Sequence, residues 1–216
     1  MLKRMAKYIV FDGMDGSGKG TQLKLLEKRF GESVVFTREP GGPPLAEKLR
    51  GIVRDDQLAR EATALFHFLG FWMAREETMH KLVMPALQAG KHVFSDRGDS
   101  STFAFQIFGE QQRRLIKEYG NLRNLVFLAP GRRPPDLYVI FALPASVARE
   151  RALADSARET NHFDVRDLAY YERVWEGFFK FKDHGPTVYI DANQSPAQVH
   201  LDVMDALRSR AGIECA

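Results

Sequence analysis

Three glycines and a lysine follow an apolar run near the start of the chain, and an apolar helix pattern comes directly after them. Gly13, Gly18 and Lys19 have the spacing G-x-x-x-x-G-K of a P-loop between a strand and a helix. Such a loop turns backbone N–H groups toward phosphate oxygens, and the helix N-terminus and the lysine attract the same anion. The segment predicts a nucleoside triphosphate site, against the alternative of a tight turn with a surface lysine. The predicted nucleotide-binding residues are Gly13, Met14, Asp15, Gly16, Ser17, Gly18, Lys19, Gly20 and Thr21.

The residue after the P-loop lysine is a glycine, where a hydroxyl residue usually ligates Mg²⁺. Gly20 has no side chain to do so, and the next residue is Thr21. We therefore expect Mg²⁺ to be held mainly by phosphate oxygens and water, without a direct bond from Thr21.

An aspartate and an arginine end a second apolar run, at residues 92–95. Asp96 there would orient Mg²⁺-bound water, and Arg97 would fork onto a phosphate. The bland alternatives are a helix N-cap for Asp96 and a surface ion pair for Arg97. No convincing general base lies near these motifs, and a phosphate monoester needs none at neutral pH because its second pKa is about 6.

An aromatic ring and an arginine lie four residues apart on a helical pattern, and so on one face. Phe71 would stack on a nucleobase while Arg75 hydrogen-bonds the edge of that base. Alternatively, the aromatic residues of segment 66–72 are core and Arg75 pairs with Glu76 or Glu77.

A basic segment follows the strand pattern at residues 137–143 and contains Arg149, Arg151 and Arg158. These arginines would close over the phosphates as a lid. The alternative is the solvated face of a helix.

The elements that would position these residues alternate along the chain. Strand patterns at residues 8–11, 33–37, 92–95, 137–143 and 188–190 are separated by helical patterns at 21–30, 45–53, 59–89, 102–108, 110–128, 145–153, 167–182 and 196–209. The alternation predicts an α/β fold with a parallel sheet of about five strands covered by helices. Ligands of such folds bind at the carboxyl ends of the strands, where the motifs described above also lie.

Composition fits one globular domain over residues 1–216, with 44% hydrophobic and 27% charged residues. A net charge of +3 is weak evidence for nucleic acid and suits small anionic substrates, so we expect no nucleic-acid partner. One cysteine, Cys215, and no signal-peptide or membrane-span pattern favour a cytoplasmic location without a membrane partner. The six histidines show no metal-ligand spacing.

Taken in order along residues 7–205, the motifs resemble those of the bacterial thymidylate kinases, which are P-loop nucleoside monophosphate kinases. The resemblance implies a three-layer P-loop NTPase fold, phosphorylation of dTMP to dTDP by ATP-Mg²⁺, and a homodimer formed through helices flanking the sheet. The segments that carry it are residues 11–19 (Phe-Asp-Gly-Met-Asp-Gly-Ser-Gly-Lys), 37–42 (Thr-Arg-Glu-Pro-Gly-Gly), 71–75 (Phe-x-x-x-Arg), 96–106 (Asp-Arg-Gly-Asp-Ser-Ser-Thr-Phe-Ala-Phe-Gln) and 171–178 (Tyr-Glu-Arg-Val-Trp-Glu-Gly-Phe).

The resemblance also implies roles for individual residues. Asp15 would bind the sugar 3′-hydroxyl and Arg97 the acceptor phosphate, while Phe105 would crowd the sugar 2′ position and favour deoxyribose. Phe71 would stack on thymine and Arg75 would hydrogen-bond it. The other implied substrate-binding residues are Arg38, Pro40, Ser101, Thr102 and Gln106.

The family has two layouts: one has a basic residue in the P-loop directly after the acidic residue, and the other has glycine there and takes its catalytic arginine from the lid. Gly16 resembles the second layout. Arg158 would then clamp the transition state, with Arg151 and Arg149 behind it, in a lid at about residues 149–168; Arg166 is an alternative. The implied catalytic residues are Lys19, Arg97, Arg158, Arg151 and Arg149, with Asp96 holding Mg²⁺ through water.

Two other functions stay open at this point. The first is a kinase for another nucleoside monophosphate, such as dUMP, UMP or AMP, since Gly98, Ala142 and the pair Pro43-Pro44 depart from the usual family pattern. The second is a nucleotide-dependent switch, against which no Asn-Lys-x-Asp guanine signature occurs.

Overall fold

A five-stranded, fully parallel sheet forms the centre of the computed structural model, which describes residues 5–154 and 166–214. The strand order is β2-β3-β1-β4-β5, so the chain starts in the middle of the sheet and builds outward on both sides. The strands are β1 Tyr8–Gly13, β2 Val34–Arg38, β3 His92–Asp96, β4 Leu137–Ala142 and β5 Thr187–Asp191.

The central strands are continuous apolar runs, as expected where helices cover both faces of a parallel sheet. Every residue of β1 is buried, and five of the six residues of β4 are buried. The rings of Phe11 and Phe94 meet edge to face at 5.2 Å between centroids, which joins β1 to β3 within the core. The predicted α/β class with about five parallel strands is confirmed.

Helices connect the strands and supply the outer layers. Within the described part of the chain, none of them combines the length and the apolar character needed to cross a membrane. They are α1 Lys19–Phe30, α2 Pro44–Arg50, α3 Ala64–Thr78, α4 Met84–Gln88, α5 Asp99–Ser101, α6 Ile116–Phe127, α7 Ala145–Ala154, α8 Leu168–Lys180 and α9 Pro196–Ala211.

Two predicted helices differ from the observed ones at their ends. The pattern at residues 59–89 starts later, because the Thr63 side chain accepts the N–H of Phe66 and caps α3. From there the chain stays helical through a π-helical turn at Met79–Val83 into α4. The helix predicted at residues 45–53 ends at Arg50 and continues as a π-helical turn, Gly51–Asp55.

The sheet register brings three strand ends together at one edge. Phe11 of β1 pairs with Asp96 of β3, and Arg38 of β2 pairs with the same Asp96 on the other side. The segments that follow β1, β2 and β3 therefore begin side by side. This register is what places the P-loop next to Asp96 and Arg97.

A π-helical segment, Thr102–Gly109, continues from α5 and packs closely on α8. Gly177 of α8 makes this approach possible. A Cβ at that position would lie 2.7 Å from the Cα of Ala104 and 2.9 Å from the Cβ of Phe108.

Replacing Gly177 by alanine should lower the free energy of unfolding by roughly 1–3 kcal/mol, because the new methyl group overpacks this contact. Gly120→Ala is the control, since a Cβ on that glycine of α6 meets no atom within 4 Å. It should leave stability unchanged or raise it by up to ~1 kcal/mol. Urea unfolding measures both variants, and a Gly177→Ala protein as stable as Gly120→Ala would contradict the close packing of α8.

Candidate active site

A cavity of about 460 Å³ opens at the edge where β1, β2 and β3 end. It brings together four of the groups of residues singled out from the sequence. It is lined by residues 14–21, Lys24, Glu39, Pro40, Arg50, Arg54, Phe71, Arg75, Asp96, Arg97, Gly98, Ser101, Thr102, Phe105 and Gln106.

The P-loop has the conformation that its glycines predict. Gly16 and Gly18 have left-handed φ values of 79° and 78°, and α1 begins at Lys19. Ser17 donates its backbone N–H to the carbonyl oxygen of Met14 at 3.2 Å, which closes the turn. The hydroxyl of Ser17 is buried and has no hydrogen-bond partner among the described residues. The loop thus lines the cavity and contains one buried, unpaired hydroxyl.

Gly16 also lies against α7, the helix that starts the predicted lid. A Cβ on Gly16 would come 2.2 Å from the carbonyl oxygen of Ala148. This contact leaves no space at position 16 for the basic side chain of the other layout.

The P-loop lysine forms an ion pair with the carboxylate at the end of β3. Lys19 donates from Nζ to Oδ1 of Asp96, and their side chains are 10% and 37% exposed. Burial acts to raise the pKa of Asp96, but the charges of Lys19 and Arg97 outweigh it and leave that pKa lowered. Asp96 is therefore ionised, and it does not cap a helix, because α5 begins three residues later.

Arg97 lies in the cavity and contacts two carboxylates. Its two terminal nitrogens donate to Oδ1 of Asp15 at 2.6 Å and to Oδ1 of Asp12 at 3.3 Å. It also donates to the Ser101 hydroxyl at 2.9 Å, and its side chain is 21% exposed. These contacts replace the surface ion pair considered from the sequence.

Asp12 is the most buried member of this group. It is fully buried and accepts hydrogen bonds from Ser100 at 2.6 Å, from Ser101 at 2.7 Å and from the N–H of Gly13 at 2.8 Å. Burial raises the pKa of Asp12, and the nearby Arg97 opposes that rise. Asp12 thus joins the P-loop to the segment after β3.

Arg75, which also lines the cavity, is held in place by a buried ion pair. Its Nε donates to Oε2 of Glu39 at 2.7 Å, and one terminal nitrogen donates to the Thr102 hydroxyl at 3.0 Å. The other, Nη1, is buried without a partner among the described residues. The predicted alternative partner Glu76 instead pairs with Arg132 at 2.7 Å. Arg75 therefore keeps one donor for a polar ligand.

Two aromatic rings line the same cavity. Phe71 is half-buried there, whereas Phe68 and Trp72 belong to the core. The ring centroid of Phe105 lies 5.1 Å from the guanidinium carbon of Arg97 and 5.8 Å from the ring of Phe178. Flat apolar surfaces and paired cations suit a nucleotide, with its planar base and its phosphates.

Comparison with known proteins agrees with this geometry. A family model described as thymidylate kinase matches residues 11–203. The thymidylate kinase of Albidiferax ferrireducens is 35% identical over 213 residues, spanning 94% of this chain and 95% of that protein. The one from Nitratidesulfovibrio vulgaris is 36% identical over 215 residues, with 94% and 96% covered. The crystal structure of thymidylate kinase from Ehrlichia chaffeensis superposes with a TM-score of 0.72 at 30% identity, covering 94% of this chain and 98% of that one.

The chain belongs to the thymidylate kinase family. The predicted resemblance and the predicted P-loop NTPase fold are thereby confirmed.

Several residues predicted from the thymidylate kinase motifs lie outside the cavity. Arg38 pairs with Glu47 at 2.8 Å, at a position where its side chain is 52% exposed. Gly13 is the last residue of β1 and does not line the cavity. Among the arginines predicted for the lid, Arg149 donates to the carbonyl of Arg166 at 3.1 Å and Arg151 to that of Ala192 at 3.1 Å. Arg166 pairs with Glu110 at 2.7 Å, and Arg158 lies outside the described residues.

Other cavity residues had no role assigned from the sequence: Lys24, Glu39, Arg50, Arg54 and Gly98. Glu39 belongs to the Arg-Glu-Pro-Gly-Gly segment, but nothing in the local pattern shows that it pairs with Arg75. Arg50 and Arg54 are four residues apart after the second strand. That spacing on a helix adjoining a phosphate site was a signal for further cations.

The thymidylate kinase cavity offers oxygen ligands but no metal cage. The described residues contain no group of three or more His, Cys, Asp or Glu side chains that could hold a metal ion. Asp96, Ser17 and Thr21, whose side chains carry oxygen atoms, are among the residues that line the cavity. Such hard oxygen donors fit a Mg²⁺ ion that keeps several waters and binds substrate phosphates.

Glu39→Gln should lower the free energy of unfolding by roughly 3 kcal/mol, because it removes the counter-charge of a buried arginine. The side chains of Arg75 and Glu39 are only 2% and 3% exposed. Glu47→Gln is the control, since it breaks the exposed pair with Arg38 and should reduce stability by less than ~1 kcal/mol. If urea unfolding gives equal losses for the two variants, the Arg75–Glu39 pair is not a buried anchor.

Proposed function

We propose that this protein transfers the γ-phosphoryl group of ATP to dTMP and releases ADP and dTDP. The observation that carries the proposal is that the P-loop lines the same cavity as Phe71, Arg75 and Arg97. A P-loop alone would suit any nucleotide hydrolase or switch. A second set of cations and aromatic rings in the same cavity is expected when the acceptor is itself a nucleotide.

The donor side is the P-loop and the start of α1. Its backbone N–H groups surround the β- and γ-phosphates of ATP, and Lys19 contributes a full positive charge. Lys19 exchanges Asp96 for phosphate oxygens when ATP binds. Asp96 then becomes free to interact with water around the metal.

The acceptor side is formed by Phe71, Arg75, Arg97 and Phe105. Arg97 binds the phosphate of dTMP in exchange for its contact with Asp15, which leaves the Asp15 carboxylate for the sugar 3′-hydroxyl. The unpaired Nη1 of Arg75 donates to the base, while Phe71 stacks on its face. Phe105 limits the space beside the sugar and so favours deoxyribose.

The reaction then requires positioning and charge stabilisation more than proton transfer. An oxygen of the dTMP phosphate attacks the γ-phosphorus, and the bond from that phosphorus to the β–γ bridging oxygen breaks. No general base is needed because the acceptor phosphate is mostly a dianion at neutral pH. Lys19 and Arg97 stabilise the negative charge that spreads over the transferred group.

Mg²⁺ fits the oxygen donors of this cavity. Asp96 would hold it through water, with Gly20 leaving the usual side-chain ligand position empty. When bound with ATP, the ion neutralises charge on the β- and γ-phosphates.

The cysteine count and the nucleotide substrates also favour the cytoplasm as the location of the protein.

Base selectivity is tested by a coupled assay of ADP release with dTMP, dUMP, UMP, dCMP and AMP as acceptors. The highest kcat/KM should belong to dTMP. A clear preference for another monophosphate would favour the alternative kinase, and no phosphorylation of any acceptor would favour a nucleotide switch.

Arg97→Ala should lower kcat/KM for dTMP by ~10²-fold or more, the scale of losing a charge-assisted contact of ~3 kcal/mol. Arg38→Ala is the matched control, because Arg38 is the last residue of the neighbouring strand β2 but pairs with Glu47 outside the cavity. Its kcat/KM should stay within about twofold of wild type. Steady-state kinetics of both variants measure this, and normal turnover by Arg97→Ala would remove that residue from the mechanism.

We infer a homodimer formed through α3. Leu65, Phe66, Leu69 and Met73 lie on one face of that helix and are 40%, 44%, 44% and 59% exposed. A contiguous exposed apolar face on a helix marks a contact surface.

Met73→Glu should convert the dimer into a monomer, because it places a charge at the most exposed of these four residues. Leu201→Glu is the control, since Leu201 of α9 is 62% exposed and lies far along the chain from this face. Size-exclusion chromatography with light scattering gives the mass of each. A wild-type monomer, or a Met73→Glu dimer, would overturn the α3 interface.

A further inference from the structure

Arg97 has an unusual backbone conformation for a residue with a side chain. Its φ is 71°, and among the described non-glycine residues a positive φ is otherwise found at Gln111. The left-handed region is disfavoured for such residues and persists when the surrounding structure fixes it. The direction in which Arg97 projects into the cavity depends on this backbone conformation.

Two hydrogen bonds hold the near side of the turn between β3 and α5. The Ser95 hydroxyl donates to the carbonyl oxygen of Arg97 at 2.7 Å, and the N–H of Arg97 donates to the carbonyl of Phe11 at 2.8 Å. At the next residue, a Cβ on Gly98 would lie 2.9 Å from Cγ1 of Val10. The turn is therefore pressed against β1.

The far side of the turn is held by a buried carboxylate, Asp99. This side chain is fully buried and does not line the cavity. Its Oδ2 accepts hydrogen bonds from the Tyr119 hydroxyl at 2.7 Å and from Nε of Arg123 at 2.9 Å, and its Oδ1 accepts one from the Tyr138 hydroxyl at 2.7 Å. The donors come from α6 and β4, two elements that the phosphate site does not use.

We propose that Asp99 is a positioning residue, which aims the Arg97 guanidinium at the acceptor phosphate by tying the turn to Tyr119, Arg123 and Tyr138. The proposal rests on the proposed function, because it takes Arg97 as the residue that binds the phosphate of dTMP.

The donors are fixed in the states that this role requires. Burial, reinforced by the charge of Asp99, raises the pKa of both Tyr119 and Tyr138 well above the usual value. Both hydroxyls therefore keep their protons and donate. The side chain of Arg123 is 14% exposed and supplies the counter-charge. A fully satisfied buried network of this kind selects one geometry.

A purely structural role for Asp99 predicts a different outcome. If the network only stabilised the fold, its loss would weaken binding of every ligand of the acceptor site alike. If it aims Arg97, its loss weakens binding of the phosphate and leaves nucleoside binding unchanged. Thymidine and dTMP differ by that phosphate alone, so the ratio of their dissociation constants separates the two roles.

The test is calorimetric titration of thymidine and dTMP into wild-type protein, Asp99→Asn and Tyr138→Phe. The preference for dTMP over thymidine should fall ~10-fold in Asp99→Asn, as expected when a charge-assisted contact is misaligned. It should fall by less in Tyr138→Phe, which keeps the carboxylate and loses one donor. Ile213→Ala is the control, since Ile213 is buried after α9 and its loss reduces stability alone; it should keep the wild-type preference.

Combining Asp99→Asn with Arg97→Ala adds a second readout. Arg97→Ala alone should reduce the preference for dTMP, and adding Asp99→Asn should reduce it no further, because both act through one guanidinium. An additive loss, or an unchanged preference in Asp99→Asn and Tyr138→Phe, overturns the positioning role. If Asp99→Asn does not fold, Tyr138→Phe decides the question. A wild-type protein that binds dTMP no better than thymidine would instead overturn the proposed function.

Discussion

Two cations, Lys19 and Arg97, line one cavity at the edge of the sheet, and mutual repulsion opposes that arrangement when no phosphate is bound. Carboxylates at the ends of the same strands resolve it, with Asp96 on Lys19 and with Asp12 and Asp15 on Arg97. Charges in a partly dry cleft interact strongly, so each cation needs a counter-charge within contact. In the proposed function, the phosphates of ATP and dTMP replace carboxylates as the partners of these two cations.

The parallel sheet supplies this balance because its register places the end of β3 between those of β1 and β2. Two further buried carboxylates lie near the arginines of the site, Glu39 in the cavity wall and Asp99 outside it. Glu39 pairs with Arg75, and Asp99, which we propose as a positioning residue, anchors the turn after Arg97 to Tyr138. Each lies outside the chemistry but determines where a donor points. The thymidylate kinase site therefore combines ion pairs that line the cavity with buried polar contacts around them.

Much of this arrangement was predictable from the sequence, because strand ends in a parallel sheet meet at one edge. Apolar runs located all five strands, and the P-loop spacing and the Asp96-Arg97 pair identified two segments that line one cavity. Which carboxylate each arginine pairs with was not predictable, since the pairing depends on the register of the strands and on how the helices pack against the sheet. Arg75 pairs with distant Glu39 in place of the adjacent glutamates, and Arg38 pairs with Glu47 of α2. No local pattern distinguishes Arg149 and Arg151, which bond to nearby carbonyls, from an arginine that faces the phosphates.

The most direct test of the charge exchange is a crystal structure with a bisubstrate analogue that joins adenosine to thymidine through an oligophosphate chain. The account predicts that Lys19 separates from Asp96, that Arg97 separates from Asp15, and that both cations contact the same phosphate chain. Thymine should stack on Phe71 and accept a hydrogen bond from Arg75. A complex in which both cations keep their carboxylate partners while the phosphates bind elsewhere would contradict it.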